Sequence, residues 1–248
     1  MAFFRGTFKS NVLNMTTHLN VILPELGVRP ERTLILLHGL SGAADDWVRK
    51  TSIERYARDY NLAVFMPEVQ RSWYIDMKYG RKYFTYVAEE LPQLIAGSFN
   101  VPTDPEHLYI GGLSMGGYGS TKCVLTHPER YAGLMALSSR FSLVNKLKSI
   151  ENNPDQQNEW RAILGEDLVL RDCDNLDVLL EDMAQKPQHV RIYVACGTED
   201  SLYGENVRMR DMMRERGLEI EYEEWSGIHD WKFWDAAIQR GLKYVMGD

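Results

Sequence analysis

The clearest chemical pattern in the sequence is Gly112-Leu113-Ser114-Met115-Gly116. It fits G-x-S-x-G, in which a serine occupies a sharp turn between a strand and a helix. A side chain at either glycine would crowd that turn, where the strand and the helix pass close together. The turn lifts the Ser114 hydroxyl clear of the sheet and directs the Met115 N–H toward a developing oxyanion. The pattern therefore predicts a serine nucleophile rather than a turn that binds phosphate or nothing.

A serine hydroxyl needs a base to become a useful nucleophile at neutral pH, and histidine is the usual choice. Among the six histidines, His189 and His229 follow Ser114 far enough along the chain to return from a later strand. His189 precedes a predicted core strand, so it would lie at the wrong edge of the sheet. His229 follows the last predicted strand, at the carboxyl edge where sites form in parallel sheets. We therefore predict His229 as the general base.

An acidic residue must orient the base, and at such sites the chain order is serine, acid, histidine. Glu199 and Asp200 both follow a predicted strand at the carboxyl edge, so either could serve. Asp200 is favoured, and Glu199 stays open as the alternative. Asp230 is adjacent to His229 in the chain and cannot easily fold back onto its imidazole ring.

The loop after the first predicted core strand reads His38-Gly39-Leu40-Ser41-Gly42. A second oxyanion donor should come from this loop, and we predict the Leu40 N–H beside that of Met115. The two glycines let the backbone approach a substrate closely. The histidine of this loop is expected to make a structural hydrogen bond.

Apolar runs and turn residues predict strands that alternate with helices. Two strands, from Gly6 to Met15 and from Thr17 to Leu23, fit an edge hairpin. The predicted core strands are Thr33–Leu37, Leu62–Met66, Leu108–Ile110, Tyr131–Leu137, Arg191–Cys196 and Glu219–Trp225. The predicted helices are Ser52–Tyr60, Tyr83–Phe99 with a kink or end at Pro92, Gly116–Thr126, Glu205–Arg216 and Trp231–Met246. This order is typical of an α/β fold with a mostly parallel sheet covered by helices on both faces.

The chain has 248 residues, which is enough for one α/β domain with a substantial core. The regular alternation breaks at about 139–188, where helices are predicted at Glu159–Leu164 and Leu176–Gln185. This stretch is too long for a plain connection. We interpret it as a small cap inserted in a single domain, 1–248. A mobile surface excursion with no part in substrate choice stays open.

The composition excludes several classes of protein. A net charge of −7 argues against binding to nucleic acid or to an anionic membrane. The three cysteines form no disulfide framework and no metal motif, which favours a reducing compartment. The sequence shows no signal peptide and no apolar run near the ~20 residues that a membrane span needs. We therefore expect a cytoplasmic protein.

Trp73 and Tyr74 follow the second predicted core strand, at the carboxyl edge. Aromatic side chains at that edge could rim a pocket and stack on a sugar or an aryl group. Ordinary packing is the alternative. We predict these two residues as substrate contacts, and we hypothesise that they and the cap limit the acyl pocket to short chains.

Five blocks of residues carry a resemblance to a known family. They are residues 36–42 with Trp47, residues 71–74 with Gly80, Tyr83 and 90–92, residues 112–117, residues 196–200 with Leu202 and Tyr203, and residues 227–231 with Trp234. The chain resembles, over most of its length, the esterase family that includes esterase D (S-formylglutathione hydrolase) and the bacterial tributyrin esterases. The resemblance implies the α/β-hydrolase fold. It also implies a triad of Ser114, Asp200 and His229, with Leu40 and Met115 as oxyanion donors.

The same resemblance implies a carboxylic ester hydrolase whose partner is a small-molecule ester. Formylglutathione hydrolases usually carry a cysteine in the oxyanion block and this chain has none there, so the tributyrin esterases and their short-chain acyl esters fit better. Feruloyl and acetyl-sugar esterases are also relatives. An acyltransferase or a peptidase would use the same triad, whereas a non-catalytic binding module would lack a member. No nucleotide, flavin or metal motif occurs, so no cofactor is expected; a homo-oligomer stays open.

Overall fold

The computed structural model describes residues 1–184 and 189–247. The end of the helix predicted to reach Gln185 and the last residues of the predicted cap, 185–188, lie outside the described residues. Among the described helices, none is both long and apolar enough to cross a membrane.

Eight strands of the described residues form a single sheet. They are β1 (Ala2–Ser10), β2 (Met15–Leu23), β3 (Arg32–Leu37), β4 (Leu62–Pro67), β5 (Leu108–Leu113), β6 (Gly133–Leu137), β7 (Arg191–Gly197) and β8 (Ile220–Trp225). Their order across the sheet is β1-β2-β4-β3-β5-β6-β7-β8. The hairpin β1–β2 is antiparallel and joins β4 in antiparallel fashion, and every other neighbouring pair is parallel. The mostly parallel sheet with a leading antiparallel edge is as predicted.

The helices cover both faces of this sheet. They are α1 (Asp46–Lys50), α2 (Ile53–Asp59), α3 (Tyr83–Thr85), α4 (Leu91–Ser98), α5 (Met115–Thr126), α6 (Leu143–Ser149), α7 (Pro154–Leu164), α8 (Leu176–Ala184), α9 (Tyr203–Glu215) and α10 (Trp231–Met246). Two separate apolar clusters lie beneath them. The strands β3 to β6 are buried almost throughout because helices pack on both of their sides, which explains their continuous apolar runs.

The helical run from Tyr83 to Ser98 continues through Pro92 and does not end there, and the kink that was the other expectation stays a prediction. A π-helical turn, Tyr86–Glu90, connects α3 to α4 just before the proline. Proline lacks an N–H and cannot donate to the carbonyl of Ala88, four residues earlier. The Arg130 side chain donates to that carbonyl instead, at 2.8 Å. Arg130, which is far away in the sequence, therefore satisfies the carbonyl to which Pro92 cannot donate, and the helical run continues past the proline.

Strand β5 extends three residues beyond its predicted end at Ile110. Gly111 and Gly112 pair with β3 on one side and with β6 on the other. A Cβ atom at Gly111 would lie 3.0 Å from the Cβ of Met135 on β6, so a side chain here would be tightly packed against that strand. Gly111 and Gly112 look like loop residues in the sequence but belong to β5, which extends to Leu113, the residue before Ser114.

The stretch between β6 and β7 contains α6, α7 and α8, joined partly by a short 3₁₀ turn, Asp172–Asp174. Both predicted helices are present, and α7 begins earlier, at Pro154, where Asn153 caps it by accepting the Gln156 N–H. Helix α6 was not predicted. The interpretation of this stretch as a cap within one domain stays a prediction.

Candidate active site

Ser114 occupies the turn between β5 and α5 with backbone angles φ +54° and ψ −112°. This left-handed region costs a non-glycine residue about 1–3 kcal/mol. A Cβ at Gly112 would lie 2.5 Å from the carbonyl carbon of Gly116, so the turn tolerates no side chain there. The Ser114 N–H donates to the Leu137 carbonyl at 2.9 Å, and its own carbonyl accepts the Arg140 N–H at 3.2 Å. The strained turn is held by hydrogen bonds to the next strand and its loop.

His229 lies in the loop between β8 and α10, and its Nε2 is 3.0 Å from the Ser114 hydroxyl. The next residue, Asp230, caps α10 by accepting the Phe233 N–H at 3.0 Å. The imidazole meets the edge of Trp234, with ring centroids 4.9 Å apart and planes at 89°. The loop position and the ring orientation are therefore both fixed by the first turn of α10.

Asp200 follows β7, and its Oδ2 is 2.8 Å from Nδ1 of His229. The carboxylate is fully buried and also accepts the Leu202 N–H at 2.8 Å. Burial raises the pKa of Asp200, but the hydrogen bonds from His229 and Leu202 outweigh it and hold the pKa below its ordinary value. An ionised carboxylate can only accept a hydrogen bond, so Nδ1 carries the proton. The lone pair of Nε2 is then directed at the Ser114 hydroxyl.

Glu199, the alternative acid, does not contact the imidazole. Its side chain accepts the Gly227 N–H at 2.6 Å, and its own N–H donates to the Gly227 carbonyl at 3.1 Å. A Cβ at Gly197 would collide with the Gly227 backbone, so the acid loop and the base loop are in direct contact. Glu199 thus fastens the loop before His229 to the loop that carries Asp200.

The predicted oxyanion loop, 38–42, lies beside the nucleophile turn. A Cβ at Gly39 would lie 2.7 Å from the side chain of Leu113, so the loop can approach only because this residue is glycine. Neither the Leu40 N–H nor the Met115 N–H donates to another group within the described residues. Met115 begins α5, and N–H groups at the start of a helix lack partners within it. Both N–H groups therefore stay available to a ligand.

His38 is buried and holds this loop, as expected for a structural role. Its Nδ1 lies 2.8 Å from the Gly39 carbonyl oxygen, and its Nε2 lies 3.4 Å from Glu68. Glu68 also accepts the N–H groups of Ala44, at 3.0 Å, and Gln70, at 2.7 Å. Burial raises the pKa of Glu68, but the contacts with His38 and the two N–H groups lower it to about 2. Sequence reasoning missed Glu68, because nothing local distinguishes it from other surface glutamates.

Asn206 is a second residue that sequence reasoning missed. It lies fully buried in α9, and its side-chain amide donates to the carbonyls of Ser139 and Leu202, both at 2.9 Å. Its Oδ1 accepts the Ser139 N–H at 3.2 Å. The amide thus joins the loop of Asp200 to the turn that holds Ser114, over 67 residues of sequence separation.

A pocket of about 320 Å³ opens at Ser114 and His229. Its walls are loop 39–42, Asp46 and Lys50 of α1, and Trp231 and Trp234 of α10. A larger hollow of about 950 Å³ lies at the opposite, amino edge of the sheet, where His189 is found. The chemistry of Ser114 thus belongs to the smaller pocket, and His189 lies at the edge expected for it.

Trp73 and Tyr74 lie beside this site but are not among the residues that line the pocket. The Tyr74 side chain is fully buried, and its hydroxyl donates to the His38 carbonyl at 2.9 Å. Trp73 is also buried and packs against Trp160 of α7, with ring centroids 5.2 Å apart. Through its hydrogen bond to the His38 carbonyl, Tyr74 stabilises the oxyanion loop. Contact of either residue with substrate stays a prediction.

The chain is similar in sequence to known esterases. The model of the Putative esterase family matches residues 10–245. The chain belongs to that esterase family. An acetyl esterase of Caldicellulosiruptor saccharolyticus is 31% identical to it over 263 residues, covering 99% of this chain and 98% of the relative. The predicted family is confirmed.

Two solved structures from Staphylococcus aureus extend this result. One is a fluorophosphonate-binding serine hydrolase F, 32% identical, with a TM-score of 0.90 over 100% of this chain and 99% of the other. The second is an S-formylglutathione hydrolase, also 32% identical, with a TM-score of 0.88 over 99% of both chains. The predicted α/β-hydrolase fold is confirmed, and the protein is a carboxylic ester hydrolase.

Proposed function

We propose that this esterase hydrolyses short-chain acyl esters, with Ser114 as nucleophile, His229 as general base and Asp200 as the acid that orients the base. The observation that carries the proposal is the continuous hydrogen-bonded chain from Ser114 through His229 to Asp200, with contacts of 3.0 and 2.8 Å. This chain lies at the mouth of a small pocket, beside two available N–H groups.

The first half of the reaction forms an acyl-enzyme. Nε2 of His229 takes the proton of the Ser114 hydroxyl while the oxygen attacks the ester carbonyl. The N–H groups of Leu40 and Met115 stabilise the tetrahedral oxyanion. The protonated His229 then gives its proton to the departing alcohol, and the ionised Asp200 stabilises the imidazolium between these steps.

The second half releases the acid. His229 removes a proton from a water molecule, which attacks the acyl carbonyl at the same oxyanion site. Collapse of the second tetrahedral intermediate returns the proton to Ser114. These steps use side chains and backbone N–H groups of the chain together with water.

The preference for short acyl groups rests on the pocket. Its volume of about 320 Å³ is near the lower end for small-molecule sites, which run from roughly 300 to 1,000 Å³. Trp231, Trp234 and Leu40 are among the residues that line it. The bulky indoles leave little room for a long acyl chain. The similarity to an acetyl esterase agrees with this proposal.

S-formylglutathione hydrolysis is the second candidate, because one of the similar structures is such an enzyme. Its chemistry uses the same attack on an acyl carbonyl with a thiolate as leaving group. Feruloyl or acetyl-sugar esters, and transfer of the acyl group to an alcohol, use the same machinery. The absence of cysteine from residues 36–42 favours the simple ester. We also propose a cytoplasmic location, because the three cysteines are free thiols.

The test compares p-nitrophenyl acetate, butyrate and decanoate, with S-formylglutathione alongside. We expect the highest kcat/KM for acetate or butyrate, and a loss on the order of 10⁶-fold in kcat for Ser114→Ala. Ser98→Ala, an exposed serine at the end of α4, is the matched control and should match the wild type. A maximum at decanoate would refute the short-chain preference. Turnover of S-formylglutathione far above every ester would favour the second candidate.

A further inference from the structure

Asn206 of α9 is a buried polar side chain that the proposed reaction does not use. Its amide makes three hydrogen bonds: it donates to the carbonyl oxygens of Ser139 and Leu202 and accepts the Ser139 N–H. Both amide hydrogens are therefore satisfied, and the plane of the amide is fixed. Among the hydrogen bonds of residues 1–184 and 189–247, none joins Asn206 to a side chain of the proposed triad. Any effect on the triad has to pass through the backbone.

One route through the backbone leads to the nucleophile. The peptide group between Ser139 and Arg140 has its carbonyl oxygen on the Asn206 amide, at 2.9 Å. The N–H of the same peptide group donates to the Ser114 carbonyl oxygen at 3.2 Å. Hydrogen bonds at both ends polarise a peptide group and strengthen one another. Since Ser114 has φ +54°, this contact helps to hold the nucleophile in a strained conformation.

The same amide also holds the preceding peptide group, between Ser138 and Ser139. Its N–H donates to Oδ1 of Asn206 at 3.2 Å. Ser138 is fully buried and has φ +43°, a conformation that costs a non-glycine residue about 1–3 kcal/mol. Surrounding contacts have to maintain such a conformation. Asn206 thus contributes to holding two strained residues, Ser114 and Ser138, at the ends of neighbouring strands.

The other route leads to the acid. The second amide hydrogen of Asn206 donates to the Leu202 carbonyl oxygen at 2.9 Å. Leu202 is the residue before α9, and its N–H donates to Oδ1 of Asp200 at 2.8 Å. The other oxygen of that carboxylate, Oδ2, is hydrogen-bonded to His229. A shift of residue 202 would therefore move the carboxylate relative to the imidazole.

We propose that Asn206 is a positioning residue for ester hydrolysis: its amide sets the acid loop relative to the nucleophile turn, so that His229 contacts both at once. The inference rests on the proposed function, because this spacing matters only if Asp200 orients His229 and His229 activates Ser114. A misplacement of reacting groups by about 1 Å can cost on the order of 100-fold in rate. A side chain outside the pocket lining can therefore have a large effect on kcat.

The test replaces the amide. Asn206→Leu keeps the size of the side chain and removes all three hydrogen bonds. We expect kcat for p-nitrophenyl acetate to fall about 10- to 100-fold. The KM should change by less than about threefold, because Asn206 does not line the pocket. Asn206→Gln keeps an amide and should recover part of the lost kcat. Asn206→Asp keeps the acceptor and loses both donors, and it supplies the same test if Asn206→Leu does not fold in thermal denaturation.

Glu205→Met is the matched control. Glu205 is the adjacent residue of α9, and its carboxylate also holds the segment after β6, by accepting the Arg140 guanidinium at 2.7 Å and the Ser142 N–H at 3.1 Å. These contacts involve neither residue 202 nor the peptide group that binds Ser114. We expect kcat within about threefold of the wild type. A loss equal to that of Asn206→Leu would show that any weaker contact of α9 with this segment lowers kcat, which would overturn the inference.

A double-mutant cycle with Asp200→Asn separates positioning from a purely structural role. In the Asp200→Asn enzyme the acid no longer orients the base, so its position matters less. Adding Asn206→Leu should then cost less than about threefold in kcat, far below its cost in the wild type. A loss by the same factor in both backgrounds would show that Asn206 only supports the fold, and the inference would be wrong.

The outcomes separate this inference from the proposed function. If Ser114→Ala and Asp200→Asn lose activity as expected while the folded Asn206 variants keep the kcat of the wild type, only the inference is wrong. If Ser114→Ala and Asp200→Asn both keep their activity, the proposed triad is wrong and the inference is wrong with it.

Discussion

Helix α5 contributes to two regions whose polar side chains differ in their exposure to water. Just before its first turn, Ser114 is hydrogen-bonded to His229 of the loop between β8 and α10, and both residues stay partly exposed. Two turns later, Lys122 is 1% exposed and forms an ion pair with Asp174, also 1% exposed, in the turn before α8. In the proposed reaction, the first set of groups exchanges protons with the substrate. The second set is closed to water, so it can serve only to join two parts of the chain.

The ion pair of Lys122 in α5 and Asp174 in the stretch 143–184, called the anchor below, has further partners for both of its charges. Lys122 Nζ lies 2.5 Å from Asp174, 3.3 Å from the Tyr74 carbonyl oxygen and 4.0 Å from the centre of the Phe84 ring. Arg171 donates to the other oxygen of Asp174 at 2.5 Å. We propose on this basis that the stretch is a fixed buttress of a single domain rather than a mobile excursion. The buried pair of Lys122 and Asp174 can only fix the position of the chain, whereas the partly exposed Ser114 and His229 can reach a substrate.

After the loss expected for Ser114→Ala, the next largest effect is expected at Asp200, the proposed acid. Asp200→Asn should lower kcat about 10⁴-fold, because an amide stabilises the wrong tautomer of His229 and no longer balances the imidazolium. Glu199→Gln is the matched control: it removes the neighbouring negative charge without touching the imidazole, and we expect less than a tenfold change. Steady-state kinetics on p-nitrophenyl acetate checks both. A larger loss for Glu199→Gln than for Asp200→Asn would reverse the assignment of the acid.

The next effect concerns the anchor and should appear in stability. Lys122→Met leaves Asp174 buried with only Arg171 to balance it, and should lower the free energy of unfolding by about 3–5 kcal/mol. Adding Asp174→Asn removes the stranded charge and should restore part of that loss. Urea denaturation measures both. If the folded Lys122→Met enzyme lost as much kcat as Asp200→Asn, the anchor would take part in the chemistry. The contrast between the two regions would then be wrong.

The smallest expected effect is a pH-dependent change in stability when Glu68, which contacts His38 of the oxyanion loop, is replaced. The pKa of Glu68 is lowered to about 2 in the folded protein, so its stabilising contribution is present above its ordinary pKa near 4.5. That contribution is lost as pH falls from about 4.5 toward 2. Glu68→Gln should therefore be less stable by roughly 1–3 kcal/mol at neutral pH. The difference should shrink toward pH 2, and a difference independent of pH would show that the charge of Glu68 contributes nothing.

Local patterns predicted most of the sheet and the three residues of the hydrogen-bonded chain. The strands β3, β4, β6 and β7 were found within one or two residues of their ends because their buried runs are continuous. The ends of helices and strands were predicted less accurately where contacts with residues far away in the sequence determine them. Arg130 allows the helix to pass Pro92, and strand pairing on both sides turns Gly111 and Gly112 into β5. Helix α1 has five residues and too few turns to show a periodicity.

The sequence by itself determined the nucleophile turn, since only glycine fits the crowded positions around Ser114, and it determined which loops meet at the carboxyl edge. It left Glu199 and Asp200 both open, because adjacent carboxylates look alike in one dimension. In the tertiary structure, Asp200 contacts the imidazole and Glu199 contacts Gly227, which supports Asp200 as the proposed acid. The tertiary structure alone placed Asp46, Lys50 and Trp231 in the lining of the pocket at Ser114. Contacts between side chains far apart in the chain depend on packing, which no local pattern records.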